Sequence, residues 1–365
     1  MGAYIIRRLL LIIPTLFAIM VVNFAVIQIA PGGPVEQVIA QLTGTGADIT
    51  ERVTRSGTSE TLDTGQGNTS NPTYRGAQGL DPEFIKELEK QFGFDKPLSV
   101  RFVEMMKRYL VFDFGDSFFR DRKVTELVLD KMPVSISLGL WTTLLVYLIS
   151  IPLGIRKAIR DGSRFDIWTS SVIILGTAIP SFLFAVFLLV IFAGGSYLDW
   201  FPLARMTSEN WDNLSWPARI VDYFWHLALP VLAMTIGGFA TLTMLTKNSF
   251  LDQINQQYVL TARAKGLTEH RVLYGHVFRN AMLIVIAGFP SAFVGILFTG
   301  SLLIEIIFSL DGLGLLGFEA AFARDYPVMF GTLFFFSLLG LVMNLVGDLM
   351  YMVIDPRIDF ESREV

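Results

Sequence analysis

Side chains able to do acid–base, metal or nucleophilic chemistry are scarce in this sequence. None of its 365 residues is a cysteine, which excludes disulfides and thiolate metal ligands. The histidines are His226, His270 and His276. His270 and His276 stand six residues apart, neither of the spacings that set two ligands on one helix face, so no metal site is expected there. His226 opens an apolar run and reads as an interfacial side chain rather than a catalyst. No Gly-x-x-x-x-Gly-Lys-Ser/Thr loop occurs, so the chain is not expected to hydrolyse ATP by that route. No nucleophile and base stand in a credible constellation, and the chain is not expected to be an enzyme. Its formal charge of −4 offers no footprint for nucleic acid.

Two acids stand out because they lie in or beside long apolar runs, where a charge is costly and normally faces a partner or a cavity. Glu305 precedes the loop Asp311-Gly312-Leu313-Gly314, and both a gate and a structural hydrogen bond to that loop fit its position. Asp348 follows Asn344 by one helical turn, so the two share a face able to pair with a neighbouring helix. A rival role for either acid is to carry a coupling proton in a secondary transporter.

The most informative stretch is Tyr258-Val259-Leu260-Thr261-Ala262-Arg263-Ala264-Lys265-Gly266. Its spacing predicts a short polar helix from Gln257 to Lys265, ended by Gly266 in the left-handed conformation, with a further helical turn from Thr268. It sits between two long apolar segments, so it reads either as a plain solvated loop or as a rigid handle that a partner grips.

The elements that position these residues are membrane spans. The chain is 52% hydrophobic, with a mean hydropathy of +0.53, and its apolar residues cluster into runs near the roughly 20 residues a bilayer requires. Six helices are predicted, at about 5–30, 134–154, 167–193, 226–246, 281–308 and 328–354. A transmembrane barrel would need short alternating segments, and none occur. Arg7 and Arg8 stand at the very start of the first predicted span, and no other lysine or arginine falls inside these spans. Thirteen of them occupy the N-terminus, the second-to-third and fourth-to-fifth loops and the C-terminus, against three, Arg205, Arg219 and Arg324, in the short loops opposite. By the positive-inside rule both termini are expected in the cytoplasm. Arg7 and Arg8 before an apolar run mimic a signal peptide, but the run is long and lacks a cleavage site, so a retained anchor is expected.

The loop 31–133 on the outer side divides in two. Residues 43–79 are rich in Gly, Thr, Ser and Asn and are expected to be mobile. Beyond them, Phe84, Leu88 and Phe92 mark one short amphipathic helix, and Val100, Val103, Met106 and Leu110 the stripe of a second that starts near Pro97. Residues 124–129 suggest a third.

These residues carry a family resemblance. Thr261-Ala262-Arg263-Ala264-Lys265-Gly266 followed by His276-Val277-Phe278-Arg279-Asn280-Ala281 resembles the cytoplasmic coupling segment of bacterial ABC importer permeases, dipeptide and oligopeptide branch. Supporting matches are Ile29-Ala30-Pro31-Gly32-Gly33-Pro34, Phe112-Asp113-Phe114-Gly115-Asp116-Ser117, Asp325-Tyr326-Pro327, Asp348-Leu349-Met350-Tyr351 and Asp355-Pro356-Arg357. Gly162-Ser163-Arg164-Phe165-Asp166 and Leu245-Thr246-Lys247-Asn248-Ser249-Phe250 are similar to a subgroup whose cargo includes microcin C, a peptide-nucleotide antibiotic. The chain departs from the general motif at Leu260-Thr261-Ala262, where that motif begins Glu-Ala-Ala, and at Arg279, where it has proline.

The resemblance implies an all-α integral membrane protein of the type I ABC importer permease fold in a bacterial inner membrane. An N-terminal transmembrane helix (1–30) would lead to a large periplasmic loop (31–133) and a five-helix permease core (134–365). It implies a second permease subunit as heterodimer partner, cytoplasmic ATPase subunits that use ATP and Mg, and a periplasmic peptide-binding protein. No cofactor would bind this chain directly. Tyr258, Thr261, Ala262, Arg263, Ala264, Lys265 and Gly266 would form the helix on which the ATPase docks. The nearest competitor within the branch is a nickel or metal-chelate permease.

Overall fold

The computed structural model describes residues 2–29, 33–42, 82–195, 197–295 and 302–354. The expected mobile stretch 43–79, the Ala30-Pro31-Gly32 part of one matching motif and the Asp355-Pro356-Arg357 motif lie outside the described residues. In chain order the helices are α1 (Gly2–Ile29), α2 (Pro34–Leu42), α3 (Pro82–Gln91), α4 (Leu98–Tyr109), α5 (Val124–Ile159), α6 (Arg164–Ala178), α7 (Ser181–Phe192) and α8 (Trp216–Ile254). They continue as α9 (Gln257–Ala264), α10 (Glu269–Val272), α11 (Phe278–Ala287), α12 (Phe289–Gly295), α13 (Leu302–Ile307), α14 (Leu313–Ala323) and α15 (Tyr326–Ile354). A π-helical turn, Leu273–Val277, links α10 to α11.

Among the described residues, five segments, Tyr4–Ile29, Val124–Ile159, Trp216–Ile254, Glu269–Gly295 and Tyr326–Tyr351, are long and apolar enough to cross a bilayer. The predicted third span is not a single rod: α6 and α7 meet that test only together and are bent by 90°. The break falls at Ile179-Pro180. Proline crowds the residue before it out of the helical region, and Ile179 accordingly takes φ −91, ψ 116.

Other helices outgrow their predicted spans. α5 begins at Val124 and passes through Pro133, so residues 124–129 are the first turns of a long helix and not a separate one. α8 runs well past both predicted ends, which places His226 three turns inside the helix and Lys247 within it. Arg7 and Arg8 likewise lie within α1. The expectation that no lysine or arginine beyond these two would fall inside a spanning helix therefore fails at Lys247, because hydropathy finds the apolar centre of a helix and not its hydrogen-bonded ends.

The chain divides into two compact units. The larger comprises residues 1–13, 131–315 and 336–365. Two apolar cores lie among its described residues. One joins Leu138 of α5 to Ala185 and Leu188 of α7, Leu227 to Met234 of α8, and Ile304 and Phe308. The other gathers Val146, Ile155, Leu242, Phe250, Val259, Ala262, Val272, Val277 and Val285 around α9.

The smaller unit comprises residues 14–130 and 316–335. Here α2 and α3 pack through Val35, Ile39, Ile85 and Leu88. Gly93 stops α3 at φ +72, with Phe94 N–H bonded back to Glu89 O at 2.7 Å. The expected stripe on α4 is not its packed face: Val100, Val103 and Leu110 are exposed, while Tyr109 is buried and Phe102 sits between Phe17 and Phe24 of α1 at 6.0 and 5.2 Å. The packed face of α4 is the one that carries Phe102 and Tyr109, whose rings offer more area to bury than the valines of the stripe.

Candidate functional site

Helix α9 follows α8 after a sharp turn at Asn255-Gln256. Its end is a complete Schellman stop: Gly266 N–H bonds Arg263 O at 2.9 Å, Leu267 N–H bonds Ala262 O at 3.3 Å, and Gly266 takes φ +78. Thr268 then caps α10 by accepting from Arg271 N–H at 3.4 Å. Arg263 reaches forward to Glu269 through two hydrogen bonds of 2.9 and 3.1 Å, so the two short helices are joined by a fork as well as by backbone.

The helix has two faces. Val259 and Ala262 are buried in the core with Phe250, Val272 and Val277. Leu260, 57% exposed, stands on the open side with Thr261, Arg263, Ala264 and Lys265. Tyr258 is half-buried and donates its hydroxyl to Gln253 Oε1 at 2.9 Å. Ala262 thus serves the fold of this chain, and the accessible small residue is Ala264.

Beside this helix lies an ionic cluster that residue-by-residue reading missed. Lys157 at the end of α5 has no exposed side-chain surface. Its Nζ lies 2.9 Å from Asp166 Oδ1 and donates to Asp166 O, Thr169 Oγ1 and Ser170 Oγ at 2.9, 2.9 and 2.6 Å. Lys247 of α8 donates to Asp166 Oδ2 and lies equally close to Asp161 Oδ1, at 2.7 Å. Asp166 also accepts from Gly162 N–H at 3.2 Å, while Ser163 caps α6. The two matching motifs, around Gly162–Asp166 and around Lys247, therefore form one knot that ties the α5–α6 turn to α8. Close by, Gly154 of α5 lies against Thr243 and Thr246 of α8, where a β-carbon would stand 2.8 Å from Thr243 O.

Glu305 is 0% exposed and works at a helix start. Its Oε2 accepts Leu315 N–H at 2.7 Å and its Oε1 accepts the Ser135 hydroxyl at 3.3 Å. Ser135 Oγ in turn accepts Leu313 N–H at 2.8 Å. Free N–H groups at the start of α14 are satisfied by side chains remote in sequence, and the carboxylate faces the positive end of the helix. Asp348 of α15 meets α1, accepting from Tyr4 Oη at 3.1 Å and pairing with Arg8 at 3.0 Å.

The histidines lie apart from these clusters. His226 is buried with Nδ1 2.8 Å from Asp222 O. His270 lies against Tyr274, ring centroids 4.8 Å apart, and His276 is exposed.

A cavity of about 490 Å³ opens among α5, α8, α11 and α12 in the larger unit, walled by Thr142, Thr241, Gly237, Gly238, Gly288 and Ala292 among others. Among the described residues its wall carries no ionisable side chain except the Tyr147 phenol, which donates to Val285 O at 3.1 Å. In the smaller unit, two more of the separate matching motifs meet. Asp325, at the start of α15, accepts the Ser117 hydroxyl and Phe118 N–H, the latter at 3.2 Å. Burial pushes the Asp325 carboxyl above its ordinary range despite these bonds.

Bundled apolar helices, a capped two-faced helix between two of them and a neutral passage-sized cavity define the class: a membrane permease subunit. The chain belongs to the binding-protein-dependent transport system inner membrane component family, whose model matches residues 150–360. It is 63% identical, over the full length of both chains, to the peptidoglycan transport system permease protein YejB of Agrobacterium fabrum. It is 60% identical, again over both full lengths, to the inner membrane ABC transporter permease protein YejB of Escherichia coli O157:H7. The oligopeptide transport system permease protein AppB of Bacillus subtilis is 33% identical over 99% of this chain and 100% of its own.

Proposed function

We propose that this chain is one permease subunit of an ATP-driven importer of peptides in a bacterial inner membrane. Both termini are cytoplasmic in this reading, and a periplasmic peptide-binding protein delivers cargo to the outer loops. A second permease subunit completes the path around the neutral cavity, and cytoplasmic ATPase subunits dock on α9. Cargo extends to peptide conjugates of the microcin C kind. ATP and Mg belong to the ATPase partners.

The observation that carries the reading is the division of α9 into an exposed face of Leu260, Thr261, Arg263, Ala264 and Lys265 and an inner face of Val259 and Ala262 wedged into the core. The Schellman stop and the Arg263–Glu269 fork tie α9 to α10, the Lys157–Asp166–Lys247 knot ties the α5–α6 turn to α8, and in this reading these elements move as one piece. ATPase closure then swings this piece and converts an inward-facing cavity to an outward-facing one. Proton coupling is disfavoured, because Glu305 and Asp348 are both engaged in helix-end and helix-pair contacts.

The test is peptide uptake by the assembled transporter in proteoliposomes. Uptake stops on ATP depletion and persists with a protonophore. Ala264→Glu, on the exposed face, abolishes uptake and ATPase association while leaving membrane insertion intact. Ordinary uptake in Ala264→Glu, or uptake that follows the proton gradient, overturns the reading.

A further inference from the structure

Another cavity of the larger unit, about 840 Å³, opens between the segment 199–215 and the first three turns of α8, at the end of that helix remote from α9. Asp222, Trp225 and His226 line it from one face of α8, being three and four residues apart. Ser208 ties the segment down by donating both its hydroxyl and its N–H, the latter at 2.9 Å, to the Asp222 carboxylate. Those donors are neutral, so they leave the charge of Asp222 uncompensated. The His226 side chain is 6% exposed, and its Nδ1 hydrogen is spent on Asp222 O. In the neutral ring Nε2 is then an acceptor, and it has no partner among the described residues. Asp199 is exposed and has no hydrogen-bond or ion-pair partner among the described residues. Trp200 and Trp225 are 57% and 49% exposed. The two basic residues of this stretch are engaged elsewhere: Arg205 pairs with Glu209 at 3.2 Å, and Arg219 donates to Leu214 O and Asp212 O with its guanidinium over Trp211. Among the described residues the lining therefore holds two carboxylates and open aromatic faces but no lysine or arginine.

We propose that this cavity binds the primary ammonium group of a short peptide's amino terminus, received by the Asp199 carboxylate, the Trp200 and Trp225 rings and His226 Nε2. The inference rests on the peptide-import reading and adds to it a subsite at the end of α8 that this reading places outside the membrane. An ammonium carries three donors and no acceptor, and a carboxylate, an aromatic face and an imidazole lone pair are the groups that attract it. An anion brought here would meet like charge from both Asp199 and Asp222. The volume falls in the range of small-ligand pockets. The ammonium of an ethanolamine lipid headgroup presents the same chemistry, and exposed tryptophans are at home at a bilayer surface, so the test carries an arm for it.

The experiment uses the full chain assembled with its partner subunits, without nucleotide. The probe is the photoreactive tripeptide benzoylphenylalanyl-Ala-Ala with a free amino terminus. Cross-links are expected within residues 199–226. Unlabelled Phe-Ala-Ala should compete about tenfold better than N-acetyl-Phe-Ala-Ala or glycerophosphoethanolamine, the loss that follows from deleting a charge that meets both a carboxylate and aromatic faces. Asp199→Asn should cut labelling about threefold, as the loss of one exposed ion pair does, and Asp199→Glu should restore part of it. Asp199 is exposed, so folding is not at stake in either variant. Trp200→Leu should cut labelling by a similar factor. Equal competition by the free and acetylated peptides, better competition by glycerophosphoethanolamine, or full labelling of Asp199→Asn overturns the proposal. ATP-driven peptide uptake is measured in parallel: uptake without labelling overturns this subsite alone, whereas absent uptake overturns the transport reading beneath it.

Discussion

Lys157 and Asp166 form a buried ion pair: Nζ and Oδ1 are 2.9 Å apart, and the two side chains are 0% and 7% exposed. The pair is asymmetric in what each member leaves behind. Removing Asp166 strands Lys157 without a countercharge, which for a buried pair costs about 3–5 kcal/mol. Removing Lys157 leaves Asp166 with Lys247, 2.7 Å away. Asp166→Ala should therefore lower the thermal midpoint of the purified protein well below that of Lys157→Met. The opposite ranking would mean that the knot is hydrated and carries little of the fold.

The crossing of α5 and α8 sets a second expectation. A β-carbon on Gly154 would stand 2.6 Å from Thr246 Cβ and 2.8 Å from Thr243 O, and a backbone carbonyl cannot rotate away. Gly154→Ala should cost about 1–3 kcal/mol by forcing the helices apart. Gly275 in the π turn has nothing within 4 Å of its added β-carbon, so Gly275→Ala is the matched control. Equal melting of the two variants would refute the close crossing.

Ser309 offers the reverse case. It ends α13 in the left-handed region at φ +49, with Leu310 N–H bonded back to Glu305 O at 2.7 Å. An L side chain held there costs about 1–2 kcal/mol, offset in glycine by its looser unfolded state. Ser309→Gly should raise stability by about 0.5–1 kcal/mol, read as a higher denaturant midpoint; a lower midpoint would show that the serine side chain stabilises the turn.

The raised carboxyl of Asp325 gives a pH dependence with a definite sign. The folded chain holds this proton more tightly than the unfolded chain does. The associated stability is present below the unfolded value near 4 and is lost as pH rises through the higher folded value. Asp325→Asn keeps an acceptor for Ser117 and Phe118 but cannot ionise. The melting temperature of the parent minus that of the variant should therefore fall between pH 4 and pH 7. A gap that widens with pH would reverse the assignment.

The sequence was legible where its signals are local. A glycine after a run of helix formers marks the end of α9, as Gly93 does for α3, and both stops form within six residues of chain. The apolar centres of the helices were legible for the same reason. What stayed hidden depends on partners distant in sequence. Asp166 and Lys247 are 81 residues apart, and nothing in either neighbourhood names the other. Ser135 and Leu313, at the Glu305 site, are 178 apart. Ala262 and Ala264 are indistinguishable by type, so which of them faces outward appears only once Val259 has a core to enter. Pro180 did carry its signal, but a hydropathy window averages across a single residue.

The bend at Ile179-Pro180 bears on how the chain enters its membrane. At 1.5 Å per residue, α6 and α7 are about 22 and 18 Å long, each short of the roughly 30 Å hydrocarbon layer. Turned 90° to each other, they form no through-going rod that a translocation machine could release sideways into lipid as a finished span. Their partner surface is on α8, which is synthesised later: Lys247 meets Asp166 of α6, and Leu227 and Leu229 share a core with Ala185 and Leu188 of α7. Insertion of this region is thus expected to be a joint event, in which α6 and α7 reach their final depth only together with α8.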